Sequence, residues 1–353
     1  MKHFTIQEDD AGRRVDRVLR HLLKKILNTS SINKKSNHSV SLSTIYSAIR
    51  KGEVRLNGKK VKPACLTAVN DVLSIQDELL LCTSISGRSK KDRYEHSQET
   101  VRLVKARRAK NSKHAHIDVL HKNDHLLFIN KDLGIATHGA NSIDEMIKKK
   151  FEGRKSLSFS VAALHRLDKN TTGTLTFSQS LQGARLFSQA MRDGHIDRYY
   201  LGINEGCVKN GRWRLSDSRL DDCCRKKKIL GEEITDVLVI EYNKNENISL
   251  VLYKLITGKK HQIRKGATHF GCPLFCDTKY GSKRKDYCTY FLHAFALQFK
   301  QTLGFPHPMS IIAPIPKRFM KTIKKMFPKT KDVLDKIGEE VFLKNMECVW
   351  KSI

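Results

Sequence analysis

Hydrophobic positions follow two different rhythms along this chain, and the change between them divides it. From Arg13 to Ile75, Val15, Val18, Leu19, Leu22, Leu23 and Ile26 recur at helical spacing, with Arg13, Arg14, Arg17, Arg20, Lys24 and Lys25 among them. A second short helix is expected to start at Ser43, to turn Ile45, Tyr46 and Ile49 inward, and to stop at Gly52, because glycine takes the left-handed helix-ending conformation cheaply. Glu53–Val61 alternates and folds back at Asn57-Gly58, a pair that accepts the positive φ angles of a tight hairpin. Asp71–Ile75 reads as a further strand. Between these, Asn28–Val40 is polar and reads as a loop insertion, and Gln76–His116 reads as a basic linker.

From Ile117 strand periodicity dominates. Ile117–Lys131 reads as two strands around Asn123-Asp124, Arg198–Gly206 as another, and Ile248–Leu255 as a strongly apolar one. Leu181–Met191 reads as a helix, and a short helix is expected from Arg264 through His269. Lys317–Ile353 reads as a Lys-rich helical tail with an apolar stripe of Val333, Ile337, Val341 and Phe342. The result is an α+β chain: a small unit over 12–76, a linker over 77–116, a larger unit over 117–320 and a tail over 321–353.

Charge narrows the class of partner. The 353 residues carry 66 Lys plus Arg against 36 Asp plus Glu, a net charge of +30, which suits a polyanion. No apolar run approaches the roughly 18–20 residues of a membrane span, so nucleic acid is the expected partner and a membrane is not. The nine cysteines are odd in number and lack C-x-x-C spacing, and Met1–Asp10 has no apolar signal core, so a reducing cytoplasm is expected. Cys272, Cys276, His261 and His269 lack the tight paired spacing of a zinc site, so no metal is expected. No phosphate loop or dinucleotide glycine pattern is present, so no cofactor is expected either.

The candidate chemistry lies in Leu164–Gly173. Asp168 stands two residues after Arg166 and three after His165, in a short polar loop that ends at Gly173 and leads into the strand Thr174–Phe177. A carboxylate at the mouth of a sheet, flanked by cations, stays ionised and can act as a nucleophile. A lone loop Asp is more often solvated decoration. Here the whole string matters: His-Arg-Leu-Asp-x-x-Thr-Thr-Gly resembles the His-Arg-Leu-Asp-x-x-Thr-Ser-Gly motif of RluA-type RNA pseudouridine synthases, with Thr172 keeping the hydroxyl of the usual Ser.

Other segments resemble the same family in its order. Asn130-Lys131-Asp132-Leu133-Gly134 resembles Asn-Lys-Pro-x-Gly with Asp132 for Pro, which predicts a looser turn. Arg198-Tyr199-Tyr200-Leu201 to Gly206 places the family's active-site tyrosine on Tyr200, and alternation sends Tyr199 to the opposite face. Thr257–Arg264 resembles Thr-Gly-Arg-x-His-Gln-Ile-Arg; Lys259 replaces an Arg without its bidentate fork and is given no catalytic role. Gly271–Gly281, Leu292-His293-Ala294 and Ala313–Pro316 resemble the remaining motifs. At the N-terminus, Arg14-x-Asp16-x-x-Leu19, Ile49–Gly58 and Asp71-Val72 resemble an S-four-like RNA-binding domain, with Leu42 where a basic residue is common.

This resemblance implies a small S-four-like α/β domain followed by a larger domain with a mixed, mostly antiparallel sheet flanked by helices. It implies uridine-to-pseudouridine isomerisation in RNA, with Asp168 as nucleophile and Arg264 pairing with it. Tyr200 would stack on the base and assist proton removal from the ring carbon, and Arg166 would fill the space of the flipped uridine. Arg13, Arg14, Arg17, Arg50, Lys51, Arg55, Lys59, Lys60 and Lys62 are the expected grip on RNA backbone. The helix-to-hairpin segment looks most like the RluC-type subgroup, which implies large-subunit ribosomal RNA as partner, alone or in a precursor particle, and a monomeric cytoplasmic enzyme. A transfer-RNA pseudouridine synthase and a non-catalytic ribosome-assembly factor are the alternatives. A DNA-binding regulator lacks any recognition-helix motif or dimerising heptad here.

Overall fold

A computed structural model of the chain describes residues 1–29, 40–77, 79, 117–150, 159–220 and 227–330. The greater part of the expected insertion at Asn28–Val40, nearly all of the basic linker and the stripe Val333–Phe342 lie outside the described residues. The chain divides into two compact units, 1–116 with 151–161, and 117–150 with 162–353.

In the first unit α1 (Val15–Thr29) and α2 (Leu42–Lys51) accompany a four-stranded antiparallel sheet. Its order is β1 (Lys2–Thr5), β4 (Val72–Ile75), β2 (Val54–Leu56) and β3 (Lys59–Lys60). The apolar stripe of α1 is where its periodicity puts it: Val15, Val18, Leu19, Leu22 and Leu23 are buried against Ile45, Ile49, Val54, Leu73 and Ile75. Helix α2 begins one residue before Ser43, because Ser41 caps it by accepting the Thr44 amide at 3.2 Å. Gly52 ends it at φ 81°, and Asn57 and Gly58 form the hairpin corner at φ 51° and 76°. Strand β1 escaped the sequence reading, so a unit starting at residue 12 is too short. Four mainly exposed residues carry no alternation; β1 exists because β4 offers it a ladder.

The second unit is built on a ten-stranded sheet. Along it run β10 (Gly211–Leu220), β11 (Lys227–Asn243), β12 (Ile248–Leu255), β9 (Ile196–Glu205), β13 (Leu292–Phe299), β8 (Thr172–Ser178), β6 (Leu126–Lys131) and β5 (Asp118–Lys122). β14 (Ser310–Ile312) adds to β13 and β7 (Ala162–Ala163) to β8. Among the described residues every pairing in this sheet is antiparallel except β13 with β8, so the sheet is mixed and mostly antiparallel as expected. The helices are α3 (Ile143–Lys150), α4 (Leu181–Arg192), α5 (Gln262–His269) and α6 (Lys317–Met326). One core joins Phe187 of α4 to Leu126, Phe128, Leu297 and Phe299; another joins Phe319 and Ile323 of α6 to Leu201, Leu250, Leu252 and Phe295. The expected boundary at residue 320 therefore falls inside a helix, and this core extends through Phe327.

The parallel pairing of β13 with β8 is where the site is assembled. β8 enters beside β13 with Thr172 opposite His293 and Gly173 opposite Ala294. The Thr172 hydroxyl is 2.8 Å from His293 Nδ1, and His293 Nε2 is 3.2 Å from the Ala313 carbonyl. Nε2 must carry the proton to meet a carbonyl, so Nδ1 accepts from Thr172. Either Ser or Thr can supply that hydroxyl, which accounts for Thr172. At Gly173 φ is 109°, and an added Cβ would lie 2.2 Å from the Ala294 carbonyl oxygen. Both conformation and close approach demand glycine there.

Two expectations follow from this joint. Gly173→Ala should cost about 2–3 kcal/mol or more, because strain and overpacking act together; a lowered unfolding midpoint checks it. His293 is fully buried, and burial lowers its pKa to about 4. The unfolded chain, with an ordinary His near 6.5, binds more protons between those values, so stability should be lost as pH falls from about 6.5 to 4, by about 3 kcal/mol for this group. Denaturant titrations of wild type and His293→Gln across that window should diverge, with the variant losing less.

Candidate active site

The loop before β8 is held by side chains that bond to its backbone. The Thr137 hydroxyl donates to the Leu167 carbonyl at 2.8 Å and accepts the Leu167 amide at 3.1 Å. Lys131, at the end of β6 and fully buried, donates to the carbonyls of Asp132 and Ile135, both at 2.9 Å, and of Lys169 at 3.2 Å. Burial draws its ammonium down to about 8, against the pull of Asp132 and Asp168. Three carbonyls match the three protons of the charged form. Lys131 thus ties the turn at Asp132 to the Asp168 loop, and the turn is braced without the proline. The Thr171 amide bonds the Asp168 carbonyl at 3.0 Å and closes the loop.

What remains free is the Asp168 carboxylate, 15% exposed. Its cation is Arg264 of α5, whose Nη1 is 3.2 Å from Asp168 Oδ2. Arg264 is itself fixed elsewhere: Nε and Nη2 donate to the two oxygens of Asp277 at 2.7 and 2.8 Å. Its guanidinium carbon lies 4.5 Å from the ring centre of Tyr280 and 4.4 Å from that of Tyr290. A planar cation between two rings and a bidentate carboxylate has little orientational freedom left. Burial opposes its charge, but Asp277, Tyr290 and Asp168 together outweigh burial and raise its pKa.

The immediate neighbours in sequence do less than expected. His165 is no cation: its Nε2 accepts the Thr176 amide at 3.1 Å, and burial holds its pKa near 3. It fastens the loop to β8. Arg166 is exposed and lines, beside Asp168, a cavity of about 310 Å³. Tyr200 lines the same cavity, and burial raises its pKa, while Tyr199 is sealed in the core on the other face. Asp168, Arg166, Tyr200 and Arg264 thus all line one cavity. A second space of about 440 Å³ shares Asp168, Arg166 and Arg264 and adds Lys169 and Lys279. The arrangement presents an aimed carboxylate to a space with an aromatic wall and cations at the rim.

Sequence reading assigned no role to Asp277, Tyr280, Tyr290 or His261. Asp277 and Tyr280 lay within a quoted motif, yet nothing in spacing says that a guanidinium needs a second carboxylate and two rings.

In the first unit, Arg17, Arg50, Arg55, Lys59, Lys60 and Lys62 are exposed. Lys51 faces Glu53 at 3.7 Å, and Arg13 is half-buried. Arg14 is committed to Asp16 through Nε at 3.1 Å and Nη2 at 2.8 Å, and Tyr46 donates to the same carboxylate at 3.2 Å. The Arg-x-Asp pattern is therefore an internal clamp at the start of α1.

Residues 125–269 match the family model described as RNA pseudouridylate synthase. The ribosomal large subunit pseudouridine synthase C of Vibrio vulnificus is 28% identical over 332 residues, covering 91% of this chain and 95% of the relative. The protein of the same name from Escherichia coli strain K12 is 26% identical over 346 residues, covering 92% and 97%. Among solved structures, human RNA Pseudouridylate Synthase Domain Containing 4 superposes with a TM-score of 0.49 at 24% identity, covering 59% of this chain and 92% of that one. The segment that matches this family model carries Asp168, Tyr200 and Arg264, and the chain is similar to the named synthases over most of its length.

Proposed function

We propose that the chain converts specific uridines of large-subunit ribosomal RNA to pseudouridine, with Asp168 as the nucleophile. The observation that carries this reading is the pairing of Asp168 with Arg264 in a cavity walled by Tyr200. The reaction breaks the bond from ribose C1′ to the uracil nitrogen, turns the base, and joins C1′ to a ring carbon, so no group enters or leaves. Arg264 holds the carboxylate aimed. Tyr200 stacks on the base and assists removal of the proton from the ring carbon. Arg166, exposed at the rim, takes the space vacated by the flipped uridine, whose unstacking costs a few kcal/mol.

The ribosomal target rests on the relatives named as ribosomal large subunit pseudouridine synthases, which this chain matches almost end to end. The first unit would act as an S-four-like domain. Its exposed Arg17, Arg50, Arg55, Lys59, Lys60 and Lys62 would grip phosphates, with Arg13 and Lys51 beside them and Arg14 reserved for Asp16. Free rRNA or its precursor particle is the partner, and the protein works as a cytoplasmic monomer without cofactor.

Asp168→Asn should keep RNA affinity and lose all pseudouridine formation in carbodiimide mapping; retained activity would end the assignment. Total RNA from cells lacking the protein should lose pseudouridines at positions of large-subunit rRNA. Losses confined to transfer RNA would redirect the target.

A further inference from the structure

His261 stands outside the roles assigned so far, yet its ring is held against the nucleophile. Its Nε2 lies 3.4 Å from Asp168 Oδ1, the oxygen that Arg264 does not touch. On the ring's other side Nδ1 is 2.6 Å from the Tyr280 hydroxyl. The two rings meet edge to face at 5.6 Å and 84°. The His261 backbone sits in the left-handed region, at φ 56° and ψ 27°, as the residue that opens α5. A side chain with a Cβ is held in that region when its surroundings over-determine it, and such residues cluster at functional sites.

The hydrogen-bond chemistry fixes the tautomer. Were Nδ1 to donate to Tyr280, the lone pair of Nε2 would face a carboxylate oxygen, which is repulsive. With Tyr280 donating to Nδ1, the proton sits on Nε2 and faces Asp168. The two carboxylate oxygens then differ. Oδ2 is tied to a guanidinium that is itself clamped by Asp277, while Oδ1 has only the longer contact from an imidazole. The ring borders both cavities beside Asp168.

From this asymmetry we propose that Oδ1 is the attacking oxygen of Asp168, and that the His261–Tyr280 pair is the device that points it. The inference rests on the reading of Asp168 as nucleophile. His261 is a positioning residue: it acts through Asp168 and neither gains nor loses a proton. A lone pair of Oδ1 forms the bond to C1′ as the C1′–N1 bond breaks and its electron pair goes to the uracil ring. After the base turns, C5 gives an electron pair to C1′ and the C1′–Oδ1 bond returns its pair to the carboxylate. The proton leaves C5 and N1 ends protonated. Throughout, Arg264 stays on Oδ2, so the carboxylate is released to exactly one side of itself without losing its anchor.

The backbone at His261 makes the test clean. Glycine tolerates a positive φ, so His261→Gly should unfold at or above the wild-type temperature. It should nevertheless lower kcat roughly 10-fold through loss of the contact that orients Asp168, with KM for the RNA within about twofold. His261→Gln, whose amide can donate toward Asp168, should recover much of that loss. Tyr280→Phe keeps the ring beneath Arg264 but frees the imidazole, and should lower kcat in the same direction. Wild-type turnover in both His261→Gly and Tyr280→Phe would overturn the proposal. So would a loss in His261→Gly that tracks lowered stability and is not relieved by Gln. Asp168→Asn run beside them keeps the questions apart: an inactive Asp168→Asn with fully active His261→Gly and Tyr280→Phe sinks this inference and leaves the nucleophile assignment standing.

Discussion

The site depends on how a single guanidinium is shared. Arg264 gives two donors to Asp277, lies between Tyr280 and Tyr290, and has Nη1 left over for Asp168. A carboxylate facing a mobile arginine would be neutralised in many geometries. One facing an arginine that is already saturated and stacked meets a donor whose direction is set. The cost of burying Arg264 falls on Asp277, which is buried with it, while Asp168 keeps access to the cavities.

The sheet supplies the other half of that geometry. Asp168 reaches the cavity because β8 runs parallel to β13, and the two can approach there because Gly173 lacks a side chain and Thr172 is bonded to His293. Lys131 and Thr137 then hold the loop from the side opposite the carboxylate. Three distant segments, at the ends of β6, β8 and β13, therefore fix one backbone turn. Helix α5 delivers Arg264 to it from a fourth. A carboxylate aimed in this way has its orientation settled before any ligand arrives, which is where effective molarity comes from.

Much of this was legible along the chain. The helical stripe of α1, the Asn57-Gly58 corner and the apolar run of β12 are local signals, and they formed where local rules put them. Asp168, Tyr200 and Arg264 were legible because their motif strings are distinctive. β1 was not legible, since its only support is the ladder offered by β4. Nor was the boundary inside α6, where Lys-rich sequence hides Phe319 and Ile323 packing inward. Flanking cations proved a poor guide to the charge partner: His165 is neutral and bonded to β8, and the working cation comes from residue 264. The need for Asp277, Tyr280 and Tyr290 around Arg264 is a three-dimensional requirement that no spacing rule expresses.

The most direct measurement of that requirement is turnover of Arg264→Lys on substrate RNA. Lysine keeps the charge but is a point donor without a fork, so it cannot hold Asp277 bidentately and face Asp168 at once. If the clamp aims the nucleophile, pseudouridine formation should fall by at least about 10-fold with RNA affinity unchanged. Turnover equal to wild type would contradict it, because charge alone would then suffice.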